Sequence, residues 1–357
     1  MSSAVAKAYA GESQAERLTL EAIRALKEKY GKRLVILGHH YQRHSVVSVA
    51  DFVGDSFDLS RRAAEQKEAE FIVFCGVQFM AESAAILAQP HQKVLHPNPD
   101  AGCPLADFAP LDQVEAAWSD LAKVTDIRRV TPVVYVNSSA ALKAFVGAHG
   151  GTTCTSSNAK QAFEWALGRS EKLFFFPDKN LGQNTARSLG LSADDVRIWH
   201  VDLPNGGLSA SEIDRAKVLL WDGYCHVHAW FRKFHVERAR LQYPTGKIIV
   251  HPECDPDVVE ASDGNGSTKF IVEYVRKAPA GSTLVIGTEL NLVTRLAKEN
   301  PTKTIVPLAQ SPCPNMWKIT PKNVLEVLEA LGERNVVTLP KSVVTEARKA
   351  LERMMTL

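Results

Sequence analysis

Apolar positions along the chain cluster in short β-branched or aromatic runs separated by longer amphipathic stretches, the pattern of buried parallel strands alternating with helices. A first set of runs begins at Leu34 (LVILGHH), Val133 (VVYVNSS) and Ile248 (IIVHPE), and a second at Phe71 (FIVFCGV), Leu173 (LFFFPD) and Leu284 (LVIGTE). A third begins at Val94 (VLHP), Val196 (VRIWH) and Ile305 (IVPL). The first and second sets are 37, 40 and 36 residues apart, and the second and third are 23, 23 and 21 apart. Helix-like segments such as SRRAAEQKEA, AKQAFEWALGRS and TKFIVEYVRKA fill the gaps. The spacing therefore predicts an α/β fold of three pseudo-equivalent αβα three-layer units, each a βαβαβ run with a parallel sheet and right-handed crossovers. The expected divisions are 1–110 together with 320–357, then 111–228, then 229–319.

Polar residues repeat with the strands. Each strand of the first set ends four or five residues on in a reactive side chain, His39, Asn137 or Glu253, and catalytic groups collect at the carboxyl ends of parallel strands. On this reading His251, two residues before Glu253, shares its face of the strand. Hydroxyl-rich turns precede the helix that leads to the second strand: Gly54-Asp55-Ser56, Thr155-Ser156-Ser157 and Gly266-Ser267-Thr268. Such turns either cap the helix or cradle a phosphate or carboxylate on free N–H and hydroxyl groups.

Composition narrows the class. In 357 residues, 45% are apolar and 23% charged, which is ordinary globular composition for two or three domains. Basic and acidic residues number 42 and 40, so the net charge of +2 argues against nucleic acid or an anionic membrane as the main partner. No apolar run approaches the roughly 18 residues of a membrane span, and the amino terminus lacks the basic and apolar pattern of a leader. A cytoplasmic protein is expected. No Walker or GxGxxG sequence opens a helix, so nucleotide binding has no signal.

Six cysteines are too few for a secreted disulfide scaffold, and three recur once per unit. Cys103 follows Val94 by 9 residues, Cys313 follows Ile305 by 8, and Cys225 follows Val196 by 29, across an insertion (LPNGGLSASEIDRAKVLLWDG). Cys75 reads as a packed strand thiol, while Cys154 and Cys254 adjoin candidate site residues. Three thiolates meeting at a pseudo-threefold centre can hold three corners of a [4Fe–4S] cluster and leave the fourth iron open as a Lewis acid. A Cys₃ zinc site is the rival, without the close ligand pairs zinc usually takes; three unrelated thiols are the plain alternative. Of the histidines, His39 or His40 reads as a hydrogen-bonded scaffold residue, and His44, His91 and His96 as surface or loop positions.

In these residues the chain resembles the quinolinate synthases of de novo NAD biosynthesis. The resemblance runs from about residue 20 to 353. It rests on GHHYQ (38–42), DFVGDS (51–56), GVQFMAE (76–82), CP (103–104), YVNSSA (135–140), TSSNA (155–159), PDKNLG (177–182), GYCHVH (223–228), HPE (251–253), GST (266–268) and IGTE (286–289), in that order. It implies three domains around a central [4Fe–4S] cluster held by Cys103, Cys225 and Cys313. It also implies condensation of iminoaspartate with dihydroxyacetone phosphate to quinolinate, with release of phosphate and water. Carried over by motif, the substrate-binding residues are His39, Ser56, Tyr135, Asn137, Ser156, His251, Glu253 and Thr268, with Tyr41 and His228 also lining the site. Glu253 is the expected general base, and Tyr41 and His39 the proton carriers. An L-aspartate oxidase or dehydrogenase that supplies iminoaspartate is the possible protein partner. Some members carry a CxxCxxC arrangement where this chain has SPCPNM around Cys313, so a thiol–disulfide role there has no support. Cluster enzymes of isoprenoid or diphthamide synthesis lack the HPE, YVN and TSSNA set, and a cluster-based sensor would bring a recognition module that the sequence does not show.

Overall fold

The computed structural model describes residues 13–357; the amino-terminal stretch that was read as lacking a leader pattern lies, through Glu12, outside the described residues. Among the described residues thirteen strands form three wholly parallel sheets. The first contains β1 (Leu34–His39), β2 (Phe52–Gly54), β3 (Phe71–Cys75) and β4 (Lys93–Leu95), in the order β2-β1-β3-β4. The second contains β5 (Val130–Tyr135), β6 (Thr152–Cys154), β7 (Lys172–Phe176), β8 (Val196–Trp199) and β9 (Val218–Trp221), in the order β6-β5-β7-β9-β8. The third contains β10 (Lys247–Val250), β11 (Gly264–Asn265), β12 (Thr283–Gly287) and β13 (Thr304–Pro307), in the order β11-β10-β12-β13. The three-layer α/β architecture read from the spacing is present three times.

Successive strand residues point to opposite faces, and helices cover both, so the central strands need apolar side chains at every position. Phe174 and Phe176 of β7 enter one core with Trp199 and Trp221, while Leu173 and Phe175 enter another. That second core also holds Val35, Leu37, Ile72 and Phe74 of the first sheet, so the first two units share one apolar interior. The final helix, Lys341–Thr356, lies across both units through Ala347, Leu351 and Met354, beside Ile86, Leu87 and Ala140. Its approach to the helix Ala140–Ala148 is so close that a Cβ on Gly147 would sit 1.9 Å from the Glu346 carbonyl oxygen, so only glycine fits there.

Three readings of the strands need correction. Each unit has a short edge strand, β2, β6 or β11, that the spacing missed: two or three residues carry too little periodicity to register. In the second unit the strand beside β7 is β9, and β8 is the outer edge. The inserted segment thus returns to the sheet between its neighbours, and Cys225 follows β9 from Val218 by the same short loop that leads to Cys103 and Cys313. The strand read from Val133 begins at Val130, with Pro132 inside it. That proline is tolerated because β6 pairs only from Val133 onward, so the missing N–H breaks no ladder bond.

Candidate functional site

The carboxyl ends of the three sheets converge on one cavity. All thirteen residues singled out from the sequence line it: His39, Tyr41, Ser56, Cys103, Tyr135, Asn137, Ser156, Cys225, His228, His251, Glu253, Thr268 and Cys313. The register shows how they repeat. His39 pairs with Gly54, the residue before the Asp55-Ser56 turn, and Tyr135 pairs with Cys154, the residue before Thr155-Ser156. Val250 pairs with Asn265 and Gly38 with Val53, which sets His251 level with His39. The equivalent triads are therefore His39, Tyr135 and His251, then Tyr41, Asn137 and Glu253, then Ser56, Ser156 and Thr268. This corrects the grouping of His39 with Asn137 and Glu253 by two residues.

Glu253 is also not on a strand face with His251. The strand ends at Val250, and a turn closed by the Cys254 N–H on the His251 carbonyl (3.0 Å) carries Glu253 into the cavity. The first unit repeats this turn, with the Gln42 N–H on the His39 carbonyl at 3.0 Å. In both, the histidine Nδ1 accepts the N–H two residues on: Tyr41 to His39 at 3.1 Å and Glu253 to His251 at 3.3 Å. Burial pushes both rings down to about 3, so they are neutral, and with Nδ1 accepting, each presents Nε2–H as a donor.

Glu253, 3% exposed, accepts from the Tyr135 phenol on Oε1 and from His228 Nδ1 on Oε2 at 2.7 Å. Burial alone would raise its carboxyl; the adjacent His228 and His251 rings and these two hydrogen bonds outweigh that and hold it at about 2. The His228 and His251 rings stack with centroids 4.3 Å apart. Among the described residues no Lys or Arg lines the cavity, which leaves hydroxyls, neutral imidazole N–H groups and helix amino ends to hold an anion there.

The hydroxyl turns divide the two tasks the sequence left open. Asp55 caps the helix Ser56–Glu65 by accepting the Asp58 N–H (2.9 Å), and Ser267 caps Thr268–Lys277 by accepting the Phe270 N–H (3.3 Å). Ser56 and Thr268, the first helical residues, face the cavity instead. In the second unit Asn158 ties the turn by accepting the Thr155 N–H (2.8 Å), and Ser156 faces the cavity.

Each of the three cavity cysteines opens a helical turn and receives backbone N–H groups on sulfur: Leu105 and Ala106 at Cys103, His228 at Cys225, Asn315 and Met316 at Cys313. That surrounding suits thiolate ligands. Burial otherwise pushes the thiols up, to about 12 for Cys103 and about 11 for Cys313, so they shed their protons only to a cation. Cys75, Cys154 and Cys254 are fully buried and do not line the cavity, so the last two do not border it as their neighbours in sequence had suggested. Among the described residues the one trio of candidate ligand atoms within 4.8 Å of one another is Cys225, His228 and Glu253, and two of those are already bonded to each other. The three cysteines form no such tight set. Spread around one cavity, they fit a polynuclear cluster better than a single ion.

Several residues of the site were not singled out. Thr288, wholly buried, joins Tyr41 (2.8 Å) to His228 Nε2 (3.1 Å). Its neighbour Glu289 accepts the Cys313 N–H at 3.1 Å and caps the next helix through Asn291 N–H (2.8 Å); burial raises its carboxyl to about 8. Asp178 occupies the equivalent cap in the second unit. Behind these caps, each unit braces the cavity loop of the next. Asn180 and Asn184 donate to the carbonyls of Glu253 (3.3 Å), Pro252 (2.8 Å) and Cys254 (2.9 Å). Asn291 donates to the Tyr41 carbonyl (3.0 Å), and Glu82 accepts the Ala140 N–H (2.9 Å). PDKNLG and MAE, quoted from the sequence without a role, supply Asn180 and Glu82 of this ring, and IGTE supplies Thr288 and the cap Glu289; Asn184 and Asn291 lie just beyond the quoted motifs. His40 is the scaffold histidine, held by Arg295 at its Nδ1 (3.0 Å) and carbonyl (3.1 Å). His96 is buried against the Gly76 carbonyl (2.8 Å) rather than on the surface.

Comparison with known proteins comes to the same place. The model of the quinolinate synthetase A protein family matches residues 21–356. A quinolinate synthase of Corynebacterium glutamicum is 49% identical over 338 residues, covering 93% of this chain and 86% of that one. Those of Geobacillus kaustophilus (47%, covering 96% and 94%) and Herpetosiphon aurantiacus (47%, covering 98% and 95%) are similar over nearly their whole lengths.

Proposed function

The chain belongs to the quinolinate synthase family, enzymes of NAD biosynthesis, and from that premise we propose that it condenses iminoaspartate with dihydroxyacetone phosphate to quinolinate, releasing phosphate and water. The observation that carries this is the convergence of one cysteine, one hydroxyl and two polar residues from each of three equivalent units on a single cavity. We assign Cys103, Cys225 and Cys313 as ligands of a [4Fe–4S] cluster. When bound, its iron without a protein ligand supplies Lewis acidity toward a substrate hydroxyl or carboxylate, chemistry that assists loss of water. No helix of the described residues is long and apolar enough to cross a membrane, in keeping with a cytoplasmic enzyme fed by an L-aspartate oxidase or dehydrogenase.

The chain's own residues supply binding and proton transfer. Ser56, Ser156 and Thr268, at or beside helix amino ends, bind the phosphate or a carboxylate; the Nε2–H groups of His39 and His251, with Asn137, bind the remaining anionic oxygens. Enolisation and ring closure need protons moved at carbon, nitrogen and oxygen. A carboxylate held at about 2 is a feeble base by itself. Paired with His228 it is a better one, because the imidazole takes the proton and Glu253 stabilises the resulting cation. Tyr135 and Tyr41 flank that pair, Tyr41 in edge contact with His39 at 4.7 Å between centroids.

The test is anaerobic reconstitution with iron and sulfide. It is expected to give a brown protein with about four irons per chain that forms quinolinate and releases phosphate from the two substrates. A cluster-replete protein that forms no quinolinate overturns the reading. The anion sites have a separate check. Because Asp55 and Asn158 already tie their turns, Ser56→Ala and Ser156→Ala should raise KM several-fold while costing less than the ~1 kcal/mol of a lost cap. Unchanged kinetics with reduced thermal stability would assign those hydroxyls to structure alone.

A further inference from the structure

The cavity is suited to anions yet has no cation in its lining among the described residues. The layer behind its wall holds one. Lys143, in the first turn of the helix Ala140–Ala148, is wholly buried. Its ammonium donates to the Ser138 carbonyl at 2.5 Å and lies 5.5 Å from the ring centroid of Phe79, which lines the cavity. Ser138 directly follows Asn137, so the group that faces Phe79 also ties the loop presenting Asn137. We propose that Lys143 is a positioning residue that supplies, from behind the wall, the positive charge the lining lacks, balancing the cluster at Cys103 and the substrate anions held beside Asn137.

A buried ammonium without an anion is costly, and two other cations of little exposure show how the cost is ordinarily met. Lys172, at the amino end of β7, gives its N–H groups to the Asp214 and Ala216 carbonyls. Arg295 bonds the ring and carbonyl of His40 and has Glu299 beside it at 3.9 Å. Lys143 has neither arrangement. Among the described residues it forms no ion pair, and the Ser138 carbonyl is the one acceptor it meets, while the buried Ser138 hydroxyl has no partner at all. Burial draws the ammonium down to about 7, and the charges that draw it back are those of Glu82 and Cys103. Glu82 is already engaged, accepting from the Ala140 N–H at 2.9 Å and the Gln78 amide at 3.2 Å. The rest of the compensating charge therefore arrives with the contents of the cavity, as ligating thiolates and as the carboxylates and phosphate of the substrates. In a poorly polarisable interior that attraction acts over a distance at which water and salt would screen it. The recessed position also suits the chemistry. A lysine in the lining would set a nucleophilic amine against the ketone of a triose, where it could condense to an imine. Held behind Phe79 and the Asn137 loop, it lends its field without its nucleophile.

This rests on the reading of the cavity as the seat of a cluster and two anionic substrates, and the measurements keep the two apart. Cluster-replete wild type, Lys143→Met and Lys143→Gln are compared under anaerobic conditions. Methionine fills the space with neither charge nor donor; glutamine keeps a donor for the Ser138 carbonyl and lacks the charge. A redox titration of the cluster followed by electron paramagnetic resonance reads the charge itself. Both variants are expected to shift the midpoint to more negative potential, because the added electron has lost a positive neighbour. Calorimetric titration with quinolinate, a dianion, is expected to give a Kd weaker by about tenfold in both variants. KM for dihydroxyacetone phosphate should rise with it, while kcat stays within about threefold of wild type. Wild-type potential and affinity in the two variants overturn the proposal. So does a glutamine variant that matches the wild type while the methionine variant binds weakly, since that assigns Lys143 to bracing the loop; the glutamine variant alone decides the question if methionine impairs folding. If the cluster-replete wild type neither binds nor forms quinolinate, the reading beneath falls, and an unshifted potential would then still overturn the role of Lys143.

Discussion

Serine at Cys103, Cys225 or Cys313 is expected to strip the iron from the protein and to reduce quinolinate formation below detection, while alanine at Cys75, Cys154 or Cys254 leaves iron near the wild-type level. All six cysteines are chemically alike, and burial raises every one of their thiols, so the distinction comes from position. The first three open helical turns whose N–H groups converge on sulfur, and they enter one cavity from three units. The last three are packed: Cys75 ends β3, Cys154 ends β6, and the Cys254 thiol faces the Gly287 carbonyl at 3.9 Å. A serine oxygen is harder and far less acidic than a thiol, so it replaces a thiolate poorly on iron. The check is iron and sulfide per chain with the visible absorption of anaerobically reconstituted protein. A Cys254 variant that loses all its iron would overturn the assignment. Alanine at the packed positions removes only a small buried group, so its cost falls on stability.

What the sequence disclosed and withheld has a physical pattern. Strands long enough to alternate across two cores, such as β1, β5 and β7, show themselves as unbroken apolar runs, and with them the threefold repeat. Strands of two or three residues, β2, β6 and β11, do not, because so short a run shows no alternation even where, as at Phe52 and Cys154, it packs on the core. The same brevity hid the register: without β2 and β6 to pair against, Asn137 was placed level with His39, where Tyr135 belongs. Side chains that touch the ligand space were legible because each stands beside a motif. Thr288, Asn180, Asn184 and Asn291 act across units, and their partners lie 60 to 250 residues away in the chain. No local pattern records such contacts. The one available signal was positional, a polar residue recurring just after the second strand of the second and third units, with Asp178 level with Glu289.

Glu253→Gln is expected to keep its cluster and its affinity for a dicarboxylate resembling the product, and to lose on the order of 10²-fold or more in kcat. The glutamine is nearly isosteric, and its carbonyl can still accept from Tyr135. Its amide nitrogen, however, then confronts His228 Nδ1, donor against donor, where the carboxylate had accepted at 2.7 Å. Turned the other way, the amide keeps the bond from His228 and sets its N–H groups against the Tyr135 phenol, so either orientation replaces one of the two bonds that the carboxylate accepts. In both, the imidazolium formed on taking a substrate proton has no counter-charge. Stability should change far less, since removing a buried charge relieves its desolvation cost as it breaks its partnerships. Asn180 and Asn184 hold the loop by its backbone carbonyls, which the substitution does not alter. Steady-state kinetics with iron content and dicarboxylate binding measured on the same sample decide the matter. Turnover within a few-fold of wild type would place the base elsewhere, with His251 or Tyr41 next in line. Unchanged dicarboxylate affinity beside a collapsed kcat would show that Glu253 acts on the proton and leaves the holding of substrate to its neighbours.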